Sequence, residues 1–183
     1  MNEHIPDERG ALVADYAHPR PAQRRVSGWL LRVMLAGALF GVFGLVLVGV
    51  LLGLGLLPIM ALFLAVLILP LLQLAVLHPL VSVYERGLWL QPLLGDPVWV
   101  PWDAITRLEP HTLIHRGPRT ARDQDHDGRL VVVEHGLPRA FAVVGLMAGL
   151  GWRARAFGIS THSQTDYADL LKTIRQRTGK RAS

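Results

Sequence analysis

The sequence predicts an α+β membrane protein: a two-helix transmembrane hairpin, then a cytoplasmic antiparallel β domain closed by a C-terminal helix. Three observations predict it. From Val33 to Leu77 no residue is charged, and Gln73 is the only strongly polar one. After His78 come short β-branched or aromatic runs separated by Gly, Pro and Asp, the pattern of strands and turns. The last such run is followed by apolar residues at helical spacing, Tyr167, Leu170, Leu171 and Ile174.

Residues 1–28 are polar and contain Pro6, Pro19 and Pro21, so they read as a disordered tail. The hairpin domain spans 29–78. A helix of ~20 apolar residues crosses a hydrocarbon core of about 30 Å, and the uncharged run is long enough for two such helices, about 29–52 and 59–77. Gly53, Gly55 and Pro58 supply the turn between them. No amphipathic face exists that would let this pair sit as a soluble hairpin. Glu3, Asp7, Glu8 and Asp15 ahead of the run, and a second apolar segment directly after it, argue against a cleaved signal peptide.

Charge sets the orientation. Arg20, Arg24, Arg25 and Arg32 precede or open the first helix, Arg86 and Arg107 follow the second, and the connecting loop carries no charge. The positive-inside rule then places both termini in the cytoplasm and the chain in the inner membrane. Arg24, Arg25, Trp29 and Arg32 are the expected interfacial residues, with Arg32 snorkelling to the headgroups. Gly37, Gly41 and Gly44 share one helix face. That face packs either on the second helix or on another membrane protein or copy of this chain. Pro70 should kink the second helix.

The β domain occupies 79–183. Strands are expected in VSVYERGLWL with a turn at Glu85–Gly87, in VWVPW at 98–102, in ITRLEP, in TLIHR at 112–116, in RLVVVEH at 129–135 and in ARAFGIS at 154–160. The closing helix runs over 165–178, with Ser163 and Asp166 in a capping-box arrangement, Lys172, Arg175 and Arg177 near its C-terminus, and Gly179 as its stop.

The stretches VYERGLWL, VPWDAITRLE and TDYADLLKTIRQR, with strands first and one helix last behind a membrane hairpin, resemble the bacterial pleckstrin-homology-like (PH-like) membrane proteins over residues 80–178. The resemblance implies a PH-like antiparallel barrel or sandwich with a helix closing one end. AFAVVGLMAGLGW at 140–152 departs from the family's spacing. Relatives of the fold bind phosphoinositides through basic residues around the first hairpin. That turn here offers only Glu85 and Arg86, so headgroup binding is not carried over.

DQDHDGRLVVVE, residues 123–134, has the residue types of an EF-hand calcium loop: Asp123, Asp125, Asp127, Gly128 and Glu134, with Leu130 at the eighth place. The flanks do not favour it. Gly117 and Pro118 break an entering helix, and three valines prefer a strand, which would carry Glu134 away from the loop. A long β-hairpin loop turning at Asp127–Gly128, partly neutralised by Arg116, Arg119, Arg122 and Arg129, is the favoured reading. His111 and His115 on one strand face would lie ~13 Å apart, too far for one metal. Trp152 and Arg153 end an apolar segment that packs either in the core or on the headgroup layer. No P-loop, nucleophile elbow or dinucleotide fingerprint is present, and the absence of cysteine removes thiolate chemistry. The net charge of +5 comes without an arginine array interleaved with aromatics, so nucleic acid is not an expected partner. The expected function is non-enzymatic: a membrane-anchored binding or scaffold module. A calcium- or divalent-regulated module and a membrane enzyme with an unrecognised site are the alternatives.

Overall fold

A computed structural model describes residues 9–110 and 128–179. The apolar run folds as two helices long and apolar enough to cross a membrane, Pro21–Leu52 and Leu56–Leu77. The first is α1 (Pro21–Leu52); the second is divided into α2 (Leu56–Val66) and α3 (Ile68–Leu77). The division at Leu67 lies three residues before Pro70, whose missing N–H and ring strip the backbone bond that would span the break. Gly53 ends α1 in the left-handed region at φ 68°, and the Leu54 N–H donates to the Gly49 carbonyl at 2.9 Å, a Schellman ending. Gly49 also sets the spacing of the hairpin: a Cβ there would meet Pro58 Cδ at 2.6 Å, and one at Gly41 would meet Leu64 at 2.9 Å. Phe40, Phe43, Leu51 and Phe63 are 79%, 66%, 73% and 72% exposed, so the hairpin presents apolar surface to its surroundings on every side not taken by its own partner helix.

Within residues 9–28 the expectation of a disordered tail is corrected. Leu12–Tyr16 form a strand, β1, and α1 starts at Pro21, two turns earlier than the apolar pattern indicates. Pro21 suits the first helical position, where the amide it lacks has no intrahelical acceptor. The partner of β1 lies beyond the hairpin. It pairs antiparallel with β2 (Leu80–Tyr84), placing Asp15 opposite Ser82 and Tyr16 opposite Val81. The hairpin is thus inserted between two neighbouring strands of one sheet, and the chain leaves it on the side it entered.

β3 (Gly87–Gln91) and β4 (Val98–Pro101) complete a four-stranded antiparallel sheet in the order β1-β2-β3-β4. After a 3-10 turn at Trp102–Ala104 come β5 (Ile105–Pro110), β6 (Gly128–Val133) and β7 (Arg155–Ser160), a three-stranded antiparallel sheet in that order. Among the described residues the two sheets remain separate, with no closed barrel, so of the expected barrel or sandwich only the two-sheet arrangement is seen. TLIHR, His111 and His115 lie outside the described residues.

One core joins both sheets. Val81, Val83, Leu88, Leu90 and Val100 from the first meet Ile105, Leu108, Val131, Phe157 and Ile159 from the second. The last helix, α5 (Tyr167–Thr178), adds the stripe read from the sequence, Tyr167, Leu170, Leu171 and Ile174, all buried. Its N-cap is Asp166 in a left-handed conformation with no side-chain cap bond, so the expected capping box does not form. The segment 140–152 splits its residues. Phe141 and Val144, the latter on the short helix α4 (Ala142–Met147), are buried, whereas Met147 and Trp152 are exposed. Ala75, Val76 and Leu77 of α3 also belong to the core, so the foot of the second long helix is built into the domain. The Leu93 and Leu94 amides donate to the Ala75 carbonyl at 2.9 and 3.2 Å, satisfying a helix end that has no partner of its own.

Candidate functional site at the foot of the hairpin

Arg24 is the centre of the junction between hairpin and domain. Extension of α1 below the apolar run puts it one turn into the helix. Its guanidinium donates to two backbone carbonyls, His78 at 3.1 Å and Gln91 at 2.7 Å. A charged donor on neutral carbonyls makes strong hydrogen bonds while leaving the positive charge uncompensated. One side chain thereby ties the start of α1 to the exit of α3 and the end of β3.

The wall opposite is the turn between β7 and α5. Ser160 N–H donates to Ser163 Oγ at 3.1 Å and to Gln164 Oε1 at 2.9 Å, and Gln164 Nε2 donates to the Pro79 carbonyl at 3.1 Å. Ser163 Oγ also donates to Gln164 Oε1. These buried polar groups satisfy one another, which is what burial without a penalty requires. The His78 ring lies against Gly158, where a Cβ would sit 2.9 Å from the ring, and His78 Nδ1 is 3.2 Å from the Gly158 carbonyl. On the same side, the Thr165 backbone N–H and hydroxyl both donate to the Ala17 carbonyl, at 3.0 and 3.2 Å, drawing the end of β1 to the start of α5.

Two clefts open around this junction, of about 630 and 470 Å³. The larger lies between His18, Arg20 and Arg24 on one wall and Ser160, Thr161 and His162 on the other, with Leu74 and Leu93 among its apolar lining. The smaller shares His18, Arg24 and Leu93 and adds Arg25 and Arg32. Among the described residues no Asp or Glu lines either cleft. The first turn of α1 is also free of acidic residues. His18 Nδ1 accepts the Arg20 amide at 3.0 Å. Burial, and then the positive charge of Arg24, hold the His18 ring below the usual imidazole pKa.

Arg24, Arg25 and Arg32, each expected at the interface, are brought to one cleft. Trp29 is exposed on α1 and is not part of its lining. Trp152 is 75% exposed and, with exposed Arg153, follows α4, away from either cleft. Of the glycines on the α1 face, Gly41 packs on Leu64, while Gly37 and Gly44 have no atom within 4 Å among the described residues. Gly41 thus packs on the second helix of the hairpin, one of the two packings expected for this face. Asp123, Asp125, Asp127 and His126 lie outside the described residues. Glu134, the last residue of the twelve-residue loop reading, is described. It follows the strand Gly128–Val133, is exposed, and donates its amide to the Ala104 carbonyl at 2.9 Å. A strand of that length sets it about 20 Å from Gly128.

His18, His78, Thr161 and His162 were not picked out from the sequence. They come from segments about 140 residues apart at the extremes, and no local spacing links them. Comparison with family models, curated proteins and solved structures gives no match for this chain. What the arrangement offers chemically is a positively charged, donor-rich recess with some apolar lining.

Proposed function

We propose that the chain is a two-span inner-membrane protein with both termini in the cytoplasm, acting as a non-enzymatic binding or scaffold module that presents a PH-like domain to a protein partner or to the membrane surface. The observation that carries this reading is the insertion of an apolar hairpin between β1 and β2, with the foot of α3 packed in the domain core. A domain joined to its hairpin at both ends and by shared core is held at a fixed pose against the bilayer. That suits presentation of a surface more than free reach on a linker. Two antiparallel sheets of four and three strands followed by a helix agree with what a PH-like resemblance implies. The basic residues at the foot and the uncharged turn at Gly53–Gly55 support the cytoplasmic assignment.

The chain has no cysteine, so single substitutions report position without background. With Leu54→Cys and Glu134→Cys variants in intact bacterial cells, a membrane-impermeant maleimide should label the first directly and the second only after permeabilisation. The reverse pattern would overturn the orientation, and labelling of neither before permeabilisation would overturn the membrane span. A photo-crosslinking residue at Thr161 in the same cells tests the binding role. A discrete protein adduct or lipid adduct is expected, and no adduct at all would remove the module reading.

A further inference from the structure

We infer that the two adjoining clefts, which share His18, Arg24 and Leu93, form one binding site for the headgroup of an anionic phospholipid, with Arg20 and Arg24 of the larger and Arg25 of the smaller facing the phosphate. This rests on the membrane reading above. Four features of the recess converge. Its charge has one sign: histidine and arginine line it, and among the described residues no carboxylate does. None of Arg20, Arg24, Arg25 and Arg32 is in an ion pair among the described residues. Arg24 is already oriented by the His78 and Gln91 carbonyls, so its placement costs no further ordering when a ligand arrives. Hydroxyl donors stand beside the cations, at Ser27 and Thr161.

Location selects the ligand class. The recess sits where the apolar helices enter the domain, and Leu74 and Leu93 are among its apolar lining. Arg32 stands about 12 Å further along α1 than Arg24, so the cationic track climbs the helix towards the apolar run. A soluble phosphate would use the cations alone. A phospholipid would use the cations with its headgroup and the apolar lining with its glycerol and first methylenes. Cations near an anionic surface each contribute an attraction worth about a fivefold change in affinity, and a recess excluding part of the solvent strengthens the effect.

The test uses the purified full-length chain in a zwitterionic detergent, with thermal unfolding followed during titration by short-chain lipids. Dioctanoyl phosphatidylglycerol should raise the unfolding temperature saturably. Dioctanoyl phosphatidylcholine, with the same chains and no net charge, should not. The double variant Arg20→Gln/Arg25→Gln should shift the midpoint of the phosphatidylglycerol titration by about 25-fold. Arg175→Gln, which removes one exposed charge on α5, should leave it in place. An equal response to phosphatidylcholine would overturn the inference, as would an equal loss in Arg175→Gln. Inorganic phosphate reproducing the full saturable effect would reassign the recess to a soluble anion. Arg20 and Arg25 side chains are exposed, and the unliganded unfolding temperature of their variant, read on the same sample, separates loss of folding from loss of binding. Carbonate extraction of membranes from the same cells reports independently on the membrane reading. Extraction into the soluble fraction would remove that reading, whereas retention with no phosphatidylglycerol response would remove only this site.

Discussion

Tyr16 is buried at the end of β1, and its hydroxyl donates to Asp169 Oδ2 on α5 at 2.6 Å. It is a side-chain link between the first strand and the last helix. Burial, and then that hydrogen bond, push its phenol up to about 12. The sign follows from proton linkage: a raised folded-state pKa gives stability that is complete below the unfolded value of 10 and is lost as pH rises towards about 12. Tyr16→Phe should lower stability by about 1 kcal/mol at neutral pH, and the gap to the wild type should close between pH 10 and 12 in denaturant titrations of the detergent-solubilised chain. His18 runs the other way. Its pKa is lowered from 6.5 by burial and by Arg24, so the stability tied to its neutral form is present above that value and lost as pH falls. His18→Gln should flatten the acid limb of the stability profile measured in the same titrations. Neither role is legible in the sequence, because each depends on a partner from another segment. Tyr167, Leu170, Leu171 and Ile174 were legible because a helix states its buried face in its own spacing.

At the level of the element, Gly49 limits how closely α1 and α2 approach. Any Cβ there overlaps Pro58, whose ring cannot swing away as a flexible side chain could. Gly49→Val should destabilise the hairpin by about 1–3 kcal/mol through overpacking, read as a lower unfolding temperature in detergent. The same change at Gly44, which meets nothing within 4 Å, should have little effect on the monomer. Most strands were legible because turn residues punctuate them. The β2–β3 hairpin turns at Glu85–Arg86, as its sequence indicates, and β4, β6 and β7 fall where short β-branched and aromatic runs do. β1 was not. LVADY is too short and too mixed to announce a strand, and prolines close behind it read as tail. Pairing with β2 decides its conformation, and tertiary context of this kind outweighs β propensity.

For the whole molecule, the organisation in three consecutive blocks suggested by composition gives way to a domain interrupted by its own hairpin. Composition reports which residues seek apolar surroundings, and the two long helices were legible for that reason. It carries no information on which distant segments become neighbours, so the basic cleft, assembled from the β1–α1 connection, α1, α3 and the β7–α5 turn, stayed hidden. Removing β1 should therefore injure the domain although it lies on the far side of the hairpin in sequence. Deletion of residues 9–16 exposes the edge of β2 and unburies Val81 and Val83. Faster cleavage within residues 79–183 by limited proteolysis of the purified chain is the expected result, and an unchanged cleavage rate would show β1 to be dispensable.

The split sheet has a consequence for biosynthesis. β1 leaves the ribosome before either long helix, whereas β2 follows both. On the proposed reading the first strand must wait, unpaired, while the hairpin enters the bilayer, and the sheet can be completed only if the second helix returns to the side from which the first departed. Strand pairing then acts as a proofreading step. A chain whose second helix failed to insert, or whose N-terminus was carried across, would be left with an open β2 edge in one compartment and its missing strand in the other, a species that quality-control proteases are suited to remove.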